Sequence, residues 1–342
     1  MVTLKEVARE ARLSVGTVSQ LLHRSDPRYS LSTRNRVADI AQRLGYRPNH
    51  VARSMVRGRT QCVGVVGHML DSHVGMARVG AMGSELQARG YQMFLAGRKV
   101  DVAFVEQRRI IEDLIARRVD GLIIFIEPDA DSTYYHELRT RKIPFVLVGI
   151  LSNPGALPVV NVDVEGGMYE ATCHLLDLGH RDIAAAFGRY TMSYPNLGRL
   201  PGFRRAMEER GLSISAGRLM SEQTTSFEAA YEFTTSQMAQ PSPPTAIVYT
   251  NDEMALAGIA ALQDLGLQVP EDVSVVGYDD LPMARYIRPA LTTVRQPRSD
   301  VGRIAVELLM NQIRGNDAGT TNHVVLAPEL IVRRSTGPAR RE

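Results

Sequence analysis

From residue 62 onward, short apolar runs alternate with amphipathic stretches, and this alternation constrains the fold more than any other feature. The apolar runs are CVGVVG, YQMFLAG, GLIIFIE, PFVLVGI, DIAAAFG, TAIVYT and VSVVGYD. Helical patterns lie between them, among them DVAFVEQRRIIEDLIARRV, MYEATCHLLDLG and MALAGIAALQDLG. Apolar strands that alternate with amphipathic helices are typical of parallel sheets covered on both faces. The sequence therefore predicts an α/β fold for this region.

The length of the region indicates two lobes. It spans residues 62–342, which is longer than a typical domain built around one parallel sheet. The whole chain is 44% hydrophobic, enough for a sizeable core. Parallel sheets bind ligands beyond the carboxyl ends of their strands, so the cleft between two lobes is the expected ligand site.

Charge divides the chain near residue 61. Residues 1–61 hold twelve Lys or Arg and four Asp or Glu, a balance of +8, whereas the remainder has a balance of −5. A basic segment on an acidic body is the layout expected of a nucleic-acid module joined to a domain that does not bind nucleic acid. The alternative is a basic surface that is merely solvated.

The basic segment has the spacing of three short helices. Thr3 and Glu6 suit a capping box before the apolar stripe of VTLKEVAREARL, and Ser14 is a good N-cap for LSVGTVSQLLHR. Ser30 can cap a third helix in LSTRNRVADIAQRLGY. Two short helices joined by a tight turn form a helix-turn-helix, whose second helix enters the major groove of DNA. We therefore predict an all-α, three-helix DNA-binding head over residues 1–47.

The second predicted helix carries an outward face that suits DNA. Thr17 and Ser19 can bond phosphates, and the amide of Gln20 can pair with adenine. Val15 and Gly16 lie beside them on the same face. A solvated helix residue is the alternative interpretation of Gln20.

The stretch VTLKEVAREARLSVGTVSQLLHR, followed by RVADIAQRLGYRPNHVARSM, resembles the DNA-binding head of the lactose-repressor (LacI/GalR) family of transcription regulators. TVS, LGYRPN and VARS carry the likeness. Two departures are that members commonly have arginine at Gln20 and a slightly shorter loop than HRSDPRYS. The resemblance implies DNA contacts from Thr3, Ser14, Val15, Gly16, Thr17, Ser19, Gln20, His23, Arg34, Asn49, Ala52 and Met55.

Residues 48–61 are expected to form a hinge. Pro48 ends the third helix, and Asn49 can cap HVARSMVR, which is too short to be a stable helix alone in water. The resemblance implies that the hinge helices of a dimer pair in the minor groove. It also implies that Met55, where the family usually has leucine, wedges apart a base step. A flexible linker is the alternative.

The likeness continues through the α/β body. HLLDLGHRDIA, GRLPGFRRAMEERGL and TNDEMALAGIAALQDLGLQVPEDVSVVGYDDLPMARYIRPALTTVRQP are similar to the family's effector-binding core, which has the fold of periplasmic sugar-binding proteins. This implies a two-lobed periplasmic-binding-protein-like core with parallel sheets. The first lobe would hold about residues 62–160 and 293–321, and the second about residues 161–292 and 322–342.

Three residues are expected in the effector cleft on family grounds. Arg199 matches the arginine that points into the cleft, and Asn251 and Asp279 follow the strands TAIVYT and VSVVG. Ligand groups are expected at such carboxyl ends. An arginine, an amide and a carboxylate together suit a ligand rich in hydroxyl groups. Helix capping is the alternative role of Asn251 and Asp279.

The loop after the first strand departs from the family. Members often have NPFF where residues 72–75 are SHVG, so an aromatic platform for a sugar is missing there. Tyr190 or Tyr194 is a candidate to replace it, and the departure weakens the case for a plain sugar. The complete expected effector site is Ser72, His73, Tyr190, Arg199, Asn251 and Asp279.

Other classes of protein find little support in the sequence. There is no GxxxxGK[ST], GxSxG or HExxH motif. His174 and His180 do not share a helix face as metal ligands would, and Cys62 and Cys173 give no disulfide framework. We expect no catalytic residue, no metal and no cofactor. The start MVTLKEVARE has no secretory h-region, so a cytoplasmic, nucleoid-associated location is expected without membrane contact.

These features predict a homodimeric transcriptional regulator, most simply a repressor. Its partners would be a near-palindromic double-stranded DNA operator and a small polar effector. A sugar or sugar-derived metabolite is favoured over a nucleobase or carboxylate ligand. A periplasmic-type solute receptor or an enzyme on the same fold is the alternative. No leucine-heptad tail follows LAPELIVRRS, so coiled-coil tetramers are not expected.

Overall fold

A computed structural model describes most of the chain, in residues 2–23, 29–47, 58–67, 72–97, 104–126, 131–151, 154–188, 198–220, 225–316 and 323–340. The chain divides into two compact units, Met1–Gln61 and Cys62–Glu342. The division falls where the charge changes sign. Within the described ranges, no helix combines the length and apolarity needed to cross a membrane.

The first unit contains three short helices around one small core. They are α1 (Leu4–Ala11), α2 (Val15–His23) and α3 (Leu31–Arg43). The core consists of the residues that the helical spacing places inward, namely Val7, Ala8, Ala11, Val18, Leu21, Val37 and Ala41. Leu22, Ile40 and Leu44 pack against it and stay partly exposed. The predicted three-helix head is confirmed.

Side-chain caps begin these helices. Ser14 Oγ accepts the N–H of Thr17 at 3.0 Å, and Ser30 Oγ accepts the N–H of Thr33 at 3.3 Å. Each bond satisfies one N–H that a helix start leaves without an intrahelical partner.

The expected capping box is present at the start of α1. The carboxylate of Glu6 accepts both the N–H of Thr3, at 2.7 Å, and its hydroxyl, at 2.9 Å. The Thr3 hydroxyl therefore donates to a charged acceptor. This pair of bonds lowers the pKa of Glu6.

Six parallel strands form the sheet of the first lobe, in the order β10-β5-β4-β3-β1-β2. Its strands are β1 (Cys62–Gly67), β2 (Gln92–Gly97), β3 (Gly121–Phe125), β4 (Phe145–Val148), β5 (Val159–Val162) and β10 (His323–Leu326). Helices α4 (His73–Ala88) and α11 (Arg298–Arg314) pack on one face. Helices α5 (Phe104–Ala116) and α6 (Ser132–Thr140) pack on the other.

The second lobe repeats this arrangement around three parallel strands in the order β6-β7-β8. The strands are β6 (Ile183–Ala186), β7 (Ala246–Tyr249) and β8 (Ser274–Val276). Helices α7 (Val164–Asp177) and α8 (Arg199–Glu209) cover one face, and α9 (Phe227–Met238) and α10 (Asp252–Asp264) cover the other. Two single turns of 3-10 helix, Ala216–Arg218 and Pro282–Arg285, complete the described helices.

The last strands correct the expected lobe boundary. β10 pairs in parallel with β5 in the first sheet, so residues 323–326 do not belong to the second lobe, to which residues 322–342 were assigned. This pairing covers the edge of β5, whose backbone groups would otherwise lack partners. The chain then continues through β11 (Glu329–Ile331), which pairs antiparallel with β9 (Thr293–Arg295). It joins the second lobe where Val275 N–H donates to the carbonyl of Ser335 at 2.7 Å.

Candidate functional site

The outer face of α2 is the first candidate site. Val15, Gly16 and Gln20 are exposed, and Val15 retains 41% of its accessible surface although it is apolar. Thr17 and Ser19 are half-buried. An exposed apolar residue and an amide on the first turns of a helix suit contact with base edges and methyl groups in a major groove.

The hydroxyls at the start of α2 are bonded to each other. Ser14 Oγ lies 2.8 Å from Thr17 Oγ1, in addition to capping the helix. Thr3 is exposed and Arg34 is half-buried in the same unit. The remaining expected DNA contacts, namely the side chain of His23 and the residues Asn49, Ala52 and Met55, lie outside the described residues.

The second candidate site lies where strands of the two core sheets end. Ser72 caps α4 by accepting the N–H of Gly75 at 2.9 Å. Asn251 caps α10 by accepting the N–H of Met254 at 2.8 Å. Both helices follow strands, β1 and β7. Capping therefore occupies one acceptor of each expected ligand residue and leaves the amide N–H₂ of Asn251 outside that bond.

A side-chain contact between α4 and α10 links the two lobes at this edge. His73 Nδ1 lies 3.0 Å from Glu253 Oε1, and the imidazole remains 60% exposed. The carboxyl ends of β1 and β7 thus approach each other, as expected for a cleft between two parallel sheets.

Asp279 is a buried residue in a rare backbone conformation. Its φ is 117°, and its N–H donates to the carbonyl of Val294 at 2.7 Å. Gln296 Nε2 donates to Asp279 Oδ1 at 2.6 Å. A non-glycine residue held at positive φ costs free energy and often marks a functional site.

Asp280, the neighbour of Asp279, has a structural role. Its carboxylate accepts from Arg295 Nε at 2.7 Å and forms an ion pair with Arg333. Both arginines lie on the segments that connect the lobes, Arg295 at the end of β9 and Arg333 just after β11. These arginines lower the pKa of Asp280 against the opposing effect of its burial.

Arg199 begins α8 and points at Asp279. Its Nη2 lies 3.7 Å from Asp279 Oδ1, and the guanidinium carbon lies 4.0 Å above the ring of Tyr278. Stacking on an aromatic face suits the planar guanidinium. Arg199 Nε is buried and has no hydrogen-bond partner in the part of the chain that the structure describes. Arg199 and Asp279 therefore lie side by side, and their role in binding an effector stays a prediction.

Sequence reasoning missed two residues that complete this cluster. Arg78 of α4 donates from Nη2 to Gln296 Oε1 at 2.6 Å. Its Nε is also buried and has no partner within the described ranges. One pattern in the sequence indicates Arg78: it lies four residues from both Val74 and Met82, which are buried. A cation on the inward stripe of a helix needs a buried partner or a ligand. No local pattern indicates Gln296.

Burial shapes the ionisation of the cluster. It raises the pKa of Asp279, and Arg199 is the largest opposing influence. It lowers the pKa of Arg78 to about 10, with Asp279 opposing and Arg199 adding to the effect. Arg78 therefore remains a cation at neutral pH, beside a second cation.

Asp252 is a second buried acid behind the cluster. Burial raises the pKa of Asp252 to about 7, although the Thr293 hydroxyl and the Leu281 N–H donate to its carboxylate at 2.5 and 2.7 Å. The acid links α10 to β9 and to the loop after β8. Tyr190, the remaining expected cleft residue, lies outside the described residues.

Comparison with known proteins bears on both sites. The profile of the bacterial regulatory proteins of the lacI family matches residues 3–49, and that of the periplasmic binding protein-like domain matches residues 172–336. Catabolite control protein A of Priestia megaterium is 32% identical over 336 residues, which cover 98% of this chain and 99% of that protein. The chain belongs to the lacI family.

This lacI-family chain has further relatives of full length. The HTH-type transcriptional repressor PurR of Haemophilus influenzae is 31% identical over 98% of both chains. The lac repressor dimer bound to operator and the anti-inducer ONPF has a TM-score of 0.86 at 27% identity, covering 98% of this chain and 99% of that one. A complex of the transcriptional regulator CelR with cellobiose has a TM-score of 0.68 at 28% identity, covering 98% of this chain and 100% of that one.

Membership of the lacI family confirms the predicted class. The chain is a DNA-binding transcriptional regulator with an effector-binding core of the periplasmic-binding-protein type. Its relatives are regulators and repressors, so the alternatives of an enzyme or a solute receptor are not supported. The lacI profile includes all of α2, and the periplasmic binding protein-like profile includes Arg199, Asn251 and Asp279.

Proposed function

We propose that this regulator is a homodimeric repressor that binds a near-palindromic operator through α2. Binding of a small ligand in the core lowers or raises its affinity for the operator. The observation that carries the proposal is the division of α2 into two faces. Val18 and Leu21 close the small core, whereas Val15, Gly16 and Gln20 stay exposed beside the Ser14 cap. The lac repressor dimer bound to operator supports the dimeric assembly.

On DNA, the start of α2 faces the major groove. Thr17 and Ser19 bond phosphates and fix the position of the helix, and Gln20 contacts a base edge, with adenine preferred. Breaking the bond between Ser14 and Thr17 frees their hydroxyls for phosphate oxygens. Residues 48–61 act as the hinge, and Met55 enters the minor groove between two base pairs.

In the core, Arg199 and Asp279 bind the ligand, with Ser72, His73, Tyr190 and Asn251 around them. The unpartnered Nε of Arg199 and the strained backbone of Asp279 support this assignment. A hydroxyl-rich sugar or sugar-derived metabolite suits this mixture of donors and acceptors. The cellobiose complex of CelR supports a sugar-like ligand.

The regulator acts in the cytoplasm, in association with the nucleoid. The family match of residues 3–49 supports this location, because a regulator must reach its operators. Fractionation of cells that express the chain tests the location.

Selection from a pool of random duplexes tests the function. At fixed salt, we expect enrichment of two half-sites related by an approximate two-fold axis. Affinity for the selected duplex should exceed that for random DNA by about 10³-fold or more. An enriched pool without a shared sequence, bound equally to random DNA, contradicts the proposal. A Ser32→Ala variant, altered on the exposed start of α3, is the matched control and should select the same duplex.

A further inference from the structure

We propose that the effector of this regulator carries an anionic group, a carboxylate or a phosphate, held between Arg78 of α4 and Arg199 of α8. The proposal rests on the proposed function, since it concerns the ligand of the same cleft. It narrows the ligand class, because the sequence favoured any sugar or sugar-derived metabolite and left a nucleobase or carboxylate ligand as the alternative. It also assigns a role to Arg78, which no part of the predicted site included.

The charges of the cluster favour an anion. Arg78 and Arg199 both lie close enough to Asp279 to oppose the rise in its pKa, and so does Arg298. Asp280 does not add a free negative charge, because Arg295 and Arg333 already pair with it. Two guanidinium groups thus lie beside Asp279: Arg199 Nη2 at 3.7 Å from Oδ1, and Arg78 through the amide of Gln296. Burial raises the pKa of the nearby Asp252 to about 7, so this acid adds only part of a negative charge at neutral pH.

The unused donors point the same way. Arg78 Nε and Arg199 Nε are buried atoms that have no hydrogen-bond partner among the described residues. A guanidinium has donors only, and its fork matches the paired oxygens of a carboxylate or phosphate. A neutral hydroxyl can accept one such bond but leaves the charge unbalanced. An anionic group satisfies the donors and balances the charge together.

The neighbours of Arg78 hold it in place for this role. Its Nη2 donates to Gln296 Oε1 at 2.6 Å, and the same amide donates from Nε2 to Asp279 at 2.6 Å. Both the oxygen and the nitrogen of the Gln296 amide are therefore bonded, and the amide links Arg78 of the first lobe to Asp279 of the second lobe. The Nε of Arg78 has no partner in the described part of the chain.

The positions of Arg78 and Arg199 on different lobes allow a bound anion to change how the lobes are arranged. Arg78 lies on a helix of the first lobe, and Arg199 begins a helix of the second lobe. An anion bound to both joins the lobes and favours the arrangement in which these cations are close. Without the anion, repulsion between the two guanidinium groups opposes that arrangement. The ligand then has the differential affinity for two states that regulation requires.

Matched neutral and anionic sugars test the proposal on the full-length protein. The pairs are D-glucose with D-gluconate and D-glucose 6-phosphate, D-galactose with D-galacturonate, and D-ribose with D-ribose 5-phosphate. Melting temperature identifies the binders, and calorimetry at fixed salt measures their affinities. We expect at least one anion to bind and its neutral partner to bind at least about tenfold more weakly. The carboxylate and phosphate arms distinguish the two sources of charge.

Three variants link the result to Arg78. Arg78→Gln should weaken binding of the anion by about 10- to 100-fold, because a hydrogen-bonded charge is lost. Arg78→Lys keeps the charge without the planar fork and should retain a preference for the anion at lower affinity. Arg303→Gln removes an exposed cation from α11 of the same lobe and should bind as the wild type does.

Specific outcomes overturn the proposal. They are a neutral sugar that binds as tightly as its anionic partner, an unchanged anion affinity in Arg78→Gln, or no binding by any anion of the panel. Binding of the selected duplex, measured on the same samples, keeps this test separate from the proposed function. Operator release by a neutral sugar contradicts the anionic ligand alone, whereas failure to bind any specific duplex contradicts the repressor.

Discussion

At the scale of single residues, the buried charged side chains differ in whether all their hydrogen-bonding groups have partners. Asp280 pairs with two arginines, whereas Arg78 and Arg199 each have one buried donor that bonds to none of the described residues. The resemblance to the family was enough to place Arg199 and Asp279 in the expected effector cleft. Arg78 was detectable only as a cation on an apolar stripe, and Gln296 was not detectable, because its partners are remote in sequence and are brought together by the fold.

The amide of Gln20 gives the first prediction at this scale. Gln20→Arg should shift the preferred base toward guanine at one symmetric pair of operator positions, because arginine pairs with guanine as glutamine pairs with adenine. The discrimination is about 1–3 kcal/mol. Selection experiments on both proteins measure it. Identical selected sites for the two proteins would show that the residue does not contact a base.

Asp252 gives a prediction about pH. Its pKa rises from 3.8 to about 7 on folding, so the folded protein binds this proton more tightly than the unfolded chain. The resulting stabilisation is complete below about pH 4 and is lost as the pH rises through about 7. Asp252→Asn stays neutral, so its stability relative to the wild type should increase between pH 5 and pH 8, by up to a few kcal/mol.

Thermal unfolding of the full chain across this pH range measures the difference. Asp113→Asn is the control, because that side chain is 64% exposed and its loss should leave the profile unchanged. Parallel pH profiles for wild type and Asp252→Asn would contradict the assignment.

At the scale of elements, local patterns predicted the long apolar strands and the capped helices. β1, β3 and β7 each coincide with a quoted apolar run, and Ser14 and Ser30 cap the expected helices. The strands β5, β9, β10 and β11 were not predicted, because they lie outside the continuous apolar runs that marked equally short strands such as β4 and β7. The position of β10 depends on β5, more than 150 residues earlier, so no local pattern could place it.

Two substitutions of Ser14, the cap of α2, distinguish its role in stability from its role in DNA binding. Ser14→Ala should lower the free energy of unfolding of the first unit by about 1 kcal/mol, because the N–H of Thr17 loses its acceptor. Ser14→Asp keeps a capping oxygen and should retain stability, but its charge should weaken binding to phosphates. Hydrogen exchange of amides in α1 to α3 measures the first effect, and operator titration measures the second. Equal operator affinity for Ser14→Asp and wild type would place Ser14 away from DNA.

At the scale of the whole molecule, both lobes of the core contribute residues to the proposed binding site. The chain passes between the lobes near residues 162–164, 295–298 and 326–333, and His73 pairs with Glu253 across them. Arg78, Gln296, Asp279 and Arg199 connect α4 to α8 through side chains alone. The affinity of a ligand bound to these groups depends on the relative position of the two lobes. Such dependence is required if ligand binding is to change the affinity for DNA.

Operator affinity with and without ligand tests this account most directly. Fluorescence anisotropy of the selected duplex is measured at zero and saturating concentrations of the ligand that raises the melting temperature. The account predicts a change in operator Kd of about 5- to 150-fold for the wild type. Arg199→Ala should bind the operator normally without ligand and show no change at the same ligand concentration. The same operator Kd at zero and saturating ligand in the wild type would contradict the account.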